Sequence, residues 1–272
     1  MAAQVRFFKK NIIDLSNATP VLTVTDATAT NTGQSYIDFM RNRNNTSAWV
    51  TTGSNDAANT TIEIDLVDLR DVTSIIMVLH NFDSYTLKYW DGSWVDFSTT
   101  VNVSGNAATT TFHEFTQVST TKIQLVISGT VVANADKKMR QLIITENLVS
   151  GQLNGWPVFS KPNIDTNKKV STMLSGKANV VESIGAYETS LKVDTWKDDA
   201  DLQIVEEIYF GKRGVLVWPC GGDQAQFSSV RIGYRLEDIF LMRGVNNLIS
   251  EWNKGLYTSG MKINMKLKEA IE

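Results

Sequence analysis

Cysteine and histidine are almost missing from this 272-residue chain, which has one cysteine, Cys220, and two histidines, His80 and His113. A single thiol excludes an internal disulfide and a cysteine-rich zinc site. Two histidines leave little room for His-based metal binding or acid–base catalysis. Proline is also scarce, with 4 residues. No apolar run approaches the ~20 residues that a membrane-spanning helix needs. The longest aliphatic stretch, Ile75-Ile76-Met77-Val78-Leu79, fits a buried strand. The basic residues near Met1 have no apolar core behind them, so no secretory leader is expected. An excess of one charge is absent too: 26 Lys and Arg face 29 Asp and Glu, for a net charge of −3. That gives no general electrostatic reason to bind nucleic acid or to insert into or adhere to an anionic membrane.

What is present reads as an ordinary folded protein, 42% hydrophobic and 20% charged, long enough for two domains. The first half is rich in Thr, Ser, Asn and Asp, and strand signals recur in it at short spacing. Val21–Thr25, Thr61–Leu66 and Thr121–Ile127 alternate polar and apolar residues, as half-buried strands do. Ser74–Leu79 and Met139–Thr145 read as more deeply buried strands. Tyr85–Trp90, then Asp91-Gly92, then Ser93–Phe97 predicts a hairpin whose Asp-Gly pair supplies a type I′ turn. Many short strands with turns between them imply a β-sandwich.

Gly151–Pro157 is the natural boundary between domains. Beyond it, strand-like segments at Lys168–Leu174, Ala178–Ser183, Ala186–Val193 and Val215–Trp218 surround one expected helix over Asp198–Lys212. In that helix Leu202, Val205, Ile208 and Tyr209 form an apolar stripe. The closing segment alternates Met261, Ile263, Met265 and Leu267 with lysines, which suggests an edge strand or one that pairs with a neighbour's sheet. The expected fold is therefore mainly β: a jelly-roll β-sandwich over residues 31–147 followed by a small α+β domain over 148–272. Residues 1–30 are expected to be an arm, or a strand added to either domain.

The order of motifs carries a resemblance. Asn44–Gly53 with its Trp49 precedes Ile62-Glu63-Ile64-Asp65-Leu66 and Thr73–Asn81. The hairpin Tyr85–Phe97 and the strand Lys138–Ile144 follow. This succession resembles the galactose-binding-like jelly roll of discoidin and coagulation-factor C-type domains. The resemblance implies a sandwich with ligand loops at one end and, often, a structural calcium. The second half, with Gly155-Trp156-Pro157, Gly185–Glu188, Gly233–Ile239 and Met261–Leu267, resembles distal-tail and baseplate components of tailed phages. That likeness implies a virion tail protein made in the host cytoplasm, with copies of itself in a ring and neighbouring tail proteins as partners.

Candidate chemistry is sparse. His80 ends a strand beside a loop, and His113 lies in a strand that exposes alternate residues, so neither is placed as a catalytic base. Cys220, in Trp218–Asp223, has no basic neighbour to activate it and reads as structural. Asp65, Asp68 and Asp71 lie close enough in sequence to consider for calcium. They fall short of the five or six oxygens such a loop supplies, so no cofactor other than a possible structural calcium is expected. Arg41 and Arg43 read as solvated loop residues or subunit contacts. The sharper site is a carbohydrate-binding one, because sugars stack their C–H faces on exposed aromatics and bond their hydroxyls to nearby polar groups. Trp90 and Trp94, with Asp91 and Asn81, are the candidates, while Trp49 is expected in the core. The expectation is thus a non-enzymatic tail-tip or baseplate protein, with a carbohydrate-binding module that recognises a bacterial surface glycan as the alternative.

Overall fold

The computed structural model describes residues 6–29, 34–43, 46–98, 101–152, 158–159, 163–172, 178–193, 208, 214–219, 235–244, 249–252 and 261–269. The chain divides into two compact units, Lys9–Asn147 and Met1–Phe8 together with Leu148–Glu272. Strand β1 (Arg6–Phe8) belongs to the second unit. The first contains β2 (Val21–Asp26), the one-turn helix α1 (Gln34–Ile37), β3 (Trp49–Val50), β4 (Thr60–Val78), β5 (Phe82–Trp90) and β6 (Trp94–Asp96). It continues with β7 (Asn102–Val103), β8 (Thr111–Thr130), β9 (Lys138–Met139) and β10 (Gln141–Thr145).

Two long strands organise this unit. β4 and β8 are antiparallel along their whole length, Thr60–Asp65 opposite Lys122–Ile127 and Arg70–Met77 opposite Thr111–Thr120. β2 pairs only with the first half of β4, and β10 only with the second. β5 pairs with the last third of β8 and carries β6 and β7 on its other side. β4 and β8 thereby contribute to both layers of an antiparallel β-sandwich, changing layer where their register shifts between Asp65 and Arg70. Val67 sits in that irregularity with φ 67°, a left-handed conformation that a β-branched residue rarely adopts, and its N–H bonds the Asp65 carboxylate at 2.9 Å. Between the layers Ile62, Ile64, Leu87, Ile123, Leu125 and Ile127 meet Val72, Ile75, Met77, Leu142 and Ile144 in one buried cluster, and Trp49 is fully buried with them. The alternation of β4 explains its side: Ile62, Ile64 and Leu66 point inward, while Thr61, Glu63 and Asp65 point out.

The N-terminal segment is tied in by Asn11. Its amide donates to Leu142 O (3.1 Å), and its Oδ1 accepts from Ile144 N–H (3.0 Å). Residues 9–14 thus lie along β10, whereas Arg6–Phe8 pair with Leu216–Trp218.

The second unit holds β1 and β11 (Asn147–Gln152), β12 (Val158–Phe159), β13 (Asn163–Thr172), β14 (Ala178–Val193), β15 (Val215–Trp218), β16 (Phe240–Gly244), β17 (Ile249–Trp252) and β18 (Met261–Glu269). They form one nine-stranded sheet in the order β11-β1-β15-β16-β18-β14-β12, with β13 on β14 and β17 on β18. The closing strand is not an edge. β18 is paired by β14 along Ile263–Lys268 and, on its other side, by β16 and β17, so its hydrogen bonds are spent inside its own sheet. Of the expected helix over 198–212 only Ile208, helical and buried, is among the described residues, and Cys220 lies outside them. The chain is mainly β.

Candidate functional site

The hairpin β5–β6 positions the aromatic candidates. Lys88 pairs with Asp96, Tyr89 with Val95 and Trp90 with Trp94. The connection is therefore three residues, Asp91-Gly92-Ser93, rather than the two of a type I′ turn. Asp91 N–H closes it on Ser93 O at 3.0 Å, and Gly92 alone takes positive φ, at 74°. Alternation sends Tyr85, Leu87 and Tyr89 toward the core, where Tyr89 packs on Phe97 (5.2 Å between centroids) and Phe97 on Phe115 (4.2 Å). Lys88 and Trp90 take the opposite face.

There Trp90 and Trp94 meet edge-to-face, with centroids 5.2 Å apart and planes at 73°. Trp90 is 37% exposed, so part of its indole stands in solvent. Its backbone is fixed from below by Thr120, whose buried hydroxyl accepts from Trp90 N–H at 3.2 Å and faces Trp90 O at 3.0 Å. Beside the indoles, Asp96 accepts from Asn102 Nδ2 at 2.8 Å and lies 3.7 Å from Lys88 Nζ. Further along the same layer Lys122 stands 3.7 and 3.8 Å from Asp65 and Glu63. These are half-exposed pairs in high dielectric, each worth at most ~1 kcal/mol and free to exchange partners with a ligand. The Asp91 carboxylate at the tip is exposed and has no ion pair or hydrogen bond among the described residues. Lys88 and Asp96 are legible only once the hairpin register is known, since it places them side by side next to the tryptophans.

Asn81 does not join this group. It precedes the nine-residue strand that Trp90 ends, so the two lie about 30 Å apart at ~3.3 Å per residue. Its side chain is consumed by the chain itself: Nδ2 donates to Asp136 O (2.8 Å) and Oδ1 accepts from Lys138 N–H (2.9 Å). Asn81 is a clamp on the loop after β8 rather than a sugar ligand beside Trp90.

The histidines are structural. His80 Nδ1 accepts from Phe82 N–H (3.1 Å), so Nε2 carries the proton and faces Thr111 Oγ1 at 3.0 Å. Burial, helped by repulsion from His113, brings its pKa down to about 4. His113 Nε2 meets Tyr85 Oη at 2.8 Å. Burial lowers the imidazole to about 4 and raises the phenol to about 12. Each ring is spent on a hydroxyl of a neighbouring strand, which ties the two histidines into the sandwich. Arg41 and Arg43 are not solvated: Arg41 is buried, pairs with Asp38 at 2.9 Å and donates to Pro20 O, and Arg43 pairs with the buried Asp14 at 2.9 Å.

Asp65, Asp68 and Asp71 do not fit a calcium ion. Asp65 is taken by Val67 N–H and Lys122, Asp68 by Arg70 at 3.2 Å, and Asp71 by the Ser119 hydroxyl. Each carboxylate points to a different partner, whereas calcium gathers six to eight oxygens around one point.

At the Asn81 end, sequence reasoning missed a buried polar cluster. Asp26 accepts from Thr28 N–H and Oγ1, Ala29 N–H, Ser54 Oγ and Thr60 Oγ1. Desolvation raises its pKa, but the hydrogen bonds from Thr60, Thr28 and Ser54 together outweigh it and hold the carboxyl well below the usual range. Lys137, with a fully buried side chain, lies against this cluster. As one of two adjacent lysines it carried no sequence signal that set it apart from a solvated residue.

No family model and no curated protein matches the chain. Solved structures do. One is chitosan-binding module 1 of a chitosanase/glucanase from a Paenibacillus species, 11% identical, covering 49% of this chain and 97% of that one with a TM-score of 0.40. A second is chitosan-binding module 2 of the same enzyme, in complex with chitotriose: 10% identity, 47% and 97% coverage, TM-score 0.39. A third is the module CpGH89CBM32-5 of Clostridium perfringens, in complex with GalNAc-β-1,3-galactose: 15% identity, 47% and 96% coverage, TM-score 0.37. Nothing in these comparisons corresponds to a distal-tail or baseplate component, and the expectation of a tail-tip protein is corrected on that ground.

Proposed function

We propose that the sandwich of residues 9–147 is a glycan-binding module that recognises a bacterial surface polysaccharide through Trp90, Trp94 and Asp91. The observation that supports this reading is the Trp90–Trp94 pair at the β5–β6 tip, Trp90 exposed and Trp94 half-buried, held on a rigid strand beside an uncommitted carboxylate. An indole left in water costs free energy that burial against a pyranose C–H face recovers, and its fixed backbone means little ordering entropy is lost on binding. Asp91 accepts hydroxyl hydrogen bonds, and Lys88 with Asp96 can turn from each other toward the sugar.

The test is affinity electrophoresis of the full chain through gels containing bacterial capsular and cell-wall polysaccharides. Wild-type protein is expected to be retarded by at least one of them. Trp90→Ala and Trp94→Ala each weaken retention about tenfold, the equivalent of ~1.4 kcal/mol of lost stacking, with unchanged unfolding midpoints. A Trp90→Ala/Trp94→Ala double variant that migrates as slowly as wild type rejects the site. A wild-type chain that no polysaccharide in the panel retards rejects the function.

A further inference from the structure

Three consecutive residues of one loop, Ser54, Asn55 and Asp56, gather around one nitrogen of another. Lys137 Nζ donates to Ser54 Oγ at 2.9 Å and to Asn55 O at 2.7 Å, and lies 3.8 Å from Asp56 Oδ1. Its side chain is 0% exposed. Two of these oxygens, Ser54 Oγ and the Asp56 carboxylate, are held by further contacts. Ser54 Oγ also bonds Asp26 Oδ2 (2.8 Å), and Ser54 N–H bonds Asp136 Oδ1 (3.0 Å). The Asp56 carboxylate accepts from Asn134 N–H (2.8 Å) and Thr130 Oγ1 (3.1 Å). The main chain of Lys137 is locked as well, with reciprocal bonds of 2.9 Å between its N–H and Thr51 Oγ1 and between its carbonyl and Thr51 N–H.

A hydroxyl, a main-chain carbonyl and a carboxylate around one positive charge is the donor set of a hard-cation site. Here the charge at its centre is an ammonium with three protons for three oxygens. We infer that Lys137 is the built-in cation of this module: it joins loop 51–60 to loop 130–138, reaches loop 26–29 through Ser54, and fills with an ammonium the place that a hard cation would otherwise take. Being covalently attached, it cannot dissociate, so the loop end is ordered whatever the metal content of the medium. Removing it leaves a partly buried carboxylate, the buried Ser54 hydroxyl and the Asn55 carbonyl facing a void that is the right chemistry for an ion from solution.

The experiment is thermal unfolding of the full chain in calcium, in potassium and in chelator. Hydrogen–deuterium exchange of the peptides around residues 51–60 and 130–138 serves as the local readout. Wild type is expected to keep one midpoint and one exchange pattern in all three. Lys137→Met, which keeps the bulk and loses the charge, is expected to lower the midpoint by roughly 10 °C and to deprotect both peptides. Lys137→Ala should be destabilised similarly but partly restored by calcium or potassium. A wild-type midpoint that rises with calcium or falls with chelator overturns the inference, and this arm decides it even if neither variant folds. A Lys137→Met protein as stable as wild type overturns it, as does a destabilised Lys137→Ala protein that responds to neither ion.

Discussion

The two ends of β5 differ in how their polar and aromatic groups are spent. At its start Asn81, His80, Asp136 and Lys137 are each tied to other parts of the chain by side-chain or main-chain hydrogen bonds. At its end Trp90 stands partly in solvent, Asp91 is uncommitted, and Lys88 and Asp96 meet only across half-exposed space. One strand thus runs from a region whose groups are consumed by folding to one whose groups remain available. Polar residues near a loop are poor evidence of a binding site when their bonds are already closed internally. Unspent aromatic and carboxylate groups on a rigid strand are better evidence.

The largest expected effect of breaking this contrast is at Asp26. Asp26→Ala removes the acceptor for Thr28, Ala29, Ser54 and Thr60 and should cost ~3 kcal/mol in urea unfolding without touching glycan retention. Asn81→Ala is next, at about 2 kcal/mol, because it orphans Lys138 N–H and Asp136 O. By contrast, Trp90→Ala, nine positions further along the chain, should leave the unfolding midpoint unchanged while weakening retention about tenfold. An equal loss of stability at both positions would erase the distinction between the ends.

Acid sharpens the comparison. His80 and His113 have folded pKa values lowered to about 4 from 6.5. Below 6.5 the unfolded chain binds protons that the folded chain refuses. Stability is therefore complete above 6.5, declines as the pH falls toward 4 with a slope of up to ~1.4 kcal/mol per pH unit for each ring, and that contribution is gone below it. Asp26, also depressed in the folded state, withdraws its share only as the pH falls below its ordinary value of 3.8. Urea midpoints measured across this range should therefore fall in two stages. His113→Gln should reduce the slope of the first stage by about half, and an unaltered slope would mean that His113 titrates as freely when folded as when unfolded. The smallest effect on retention is at Gly92. Its Cβ would meet nothing within 4 Å, so Gly92→Ala costs only the left-handed conformation, ~1 kcal/mol, and leaves the tryptophans in place.

Much of the sandwich was legible in the sequence. The alternation of Thr61–Leu66 and Thr121–Ile127, the apolar run at Ser74–Leu79 and the hairpin aromatics all mark real strands. What alternation could not show is that Thr61–Leu66 and Ser74–Leu79 belong to one strand. Val67, Asp68, Leu69 and Arg70 are all exposed where β4 changes layer, and four exposed residues in a row read as a loop. The three-residue turn was hidden because Asp-Gly also suits the two-residue form, and only the Trp90–Trp94 register separates them. At the site, the tryptophans announced themselves by chemistry. Asn81 was grouped with them by nearness in the chain, which a strand converts into distance. Lys137 was invisible because its burial depends on loops 83 and 111 residues away in sequence from its neighbours Ser54 and Asp26. The closing lysine-rich strand looked like an edge because lysines guard edges, yet tertiary pairing on both sides made it interior.

The connectivity between the two units sets an order of events during synthesis. Arg6–Phe8 are made before the sandwich, but the strands beside them in their sheet, β11 and β15, are made only after it. The ends of the sandwich are joined where Lys9 N–H bonds Glu146 O at 2.9 Å and the Lys9 ammonium bonds Glu146 at 2.7 Å. Once folded, the sandwich acts as a covalent staple that delivers β1 and β11 side by side, so the long search over the intervening chain is already finished when the later sheet begins to form. The same joined ends make residues 9–147 a cassette: it can be lifted out between Phe8 and Leu148 and set into an exposed turn of another protein, carrying its tryptophans with it.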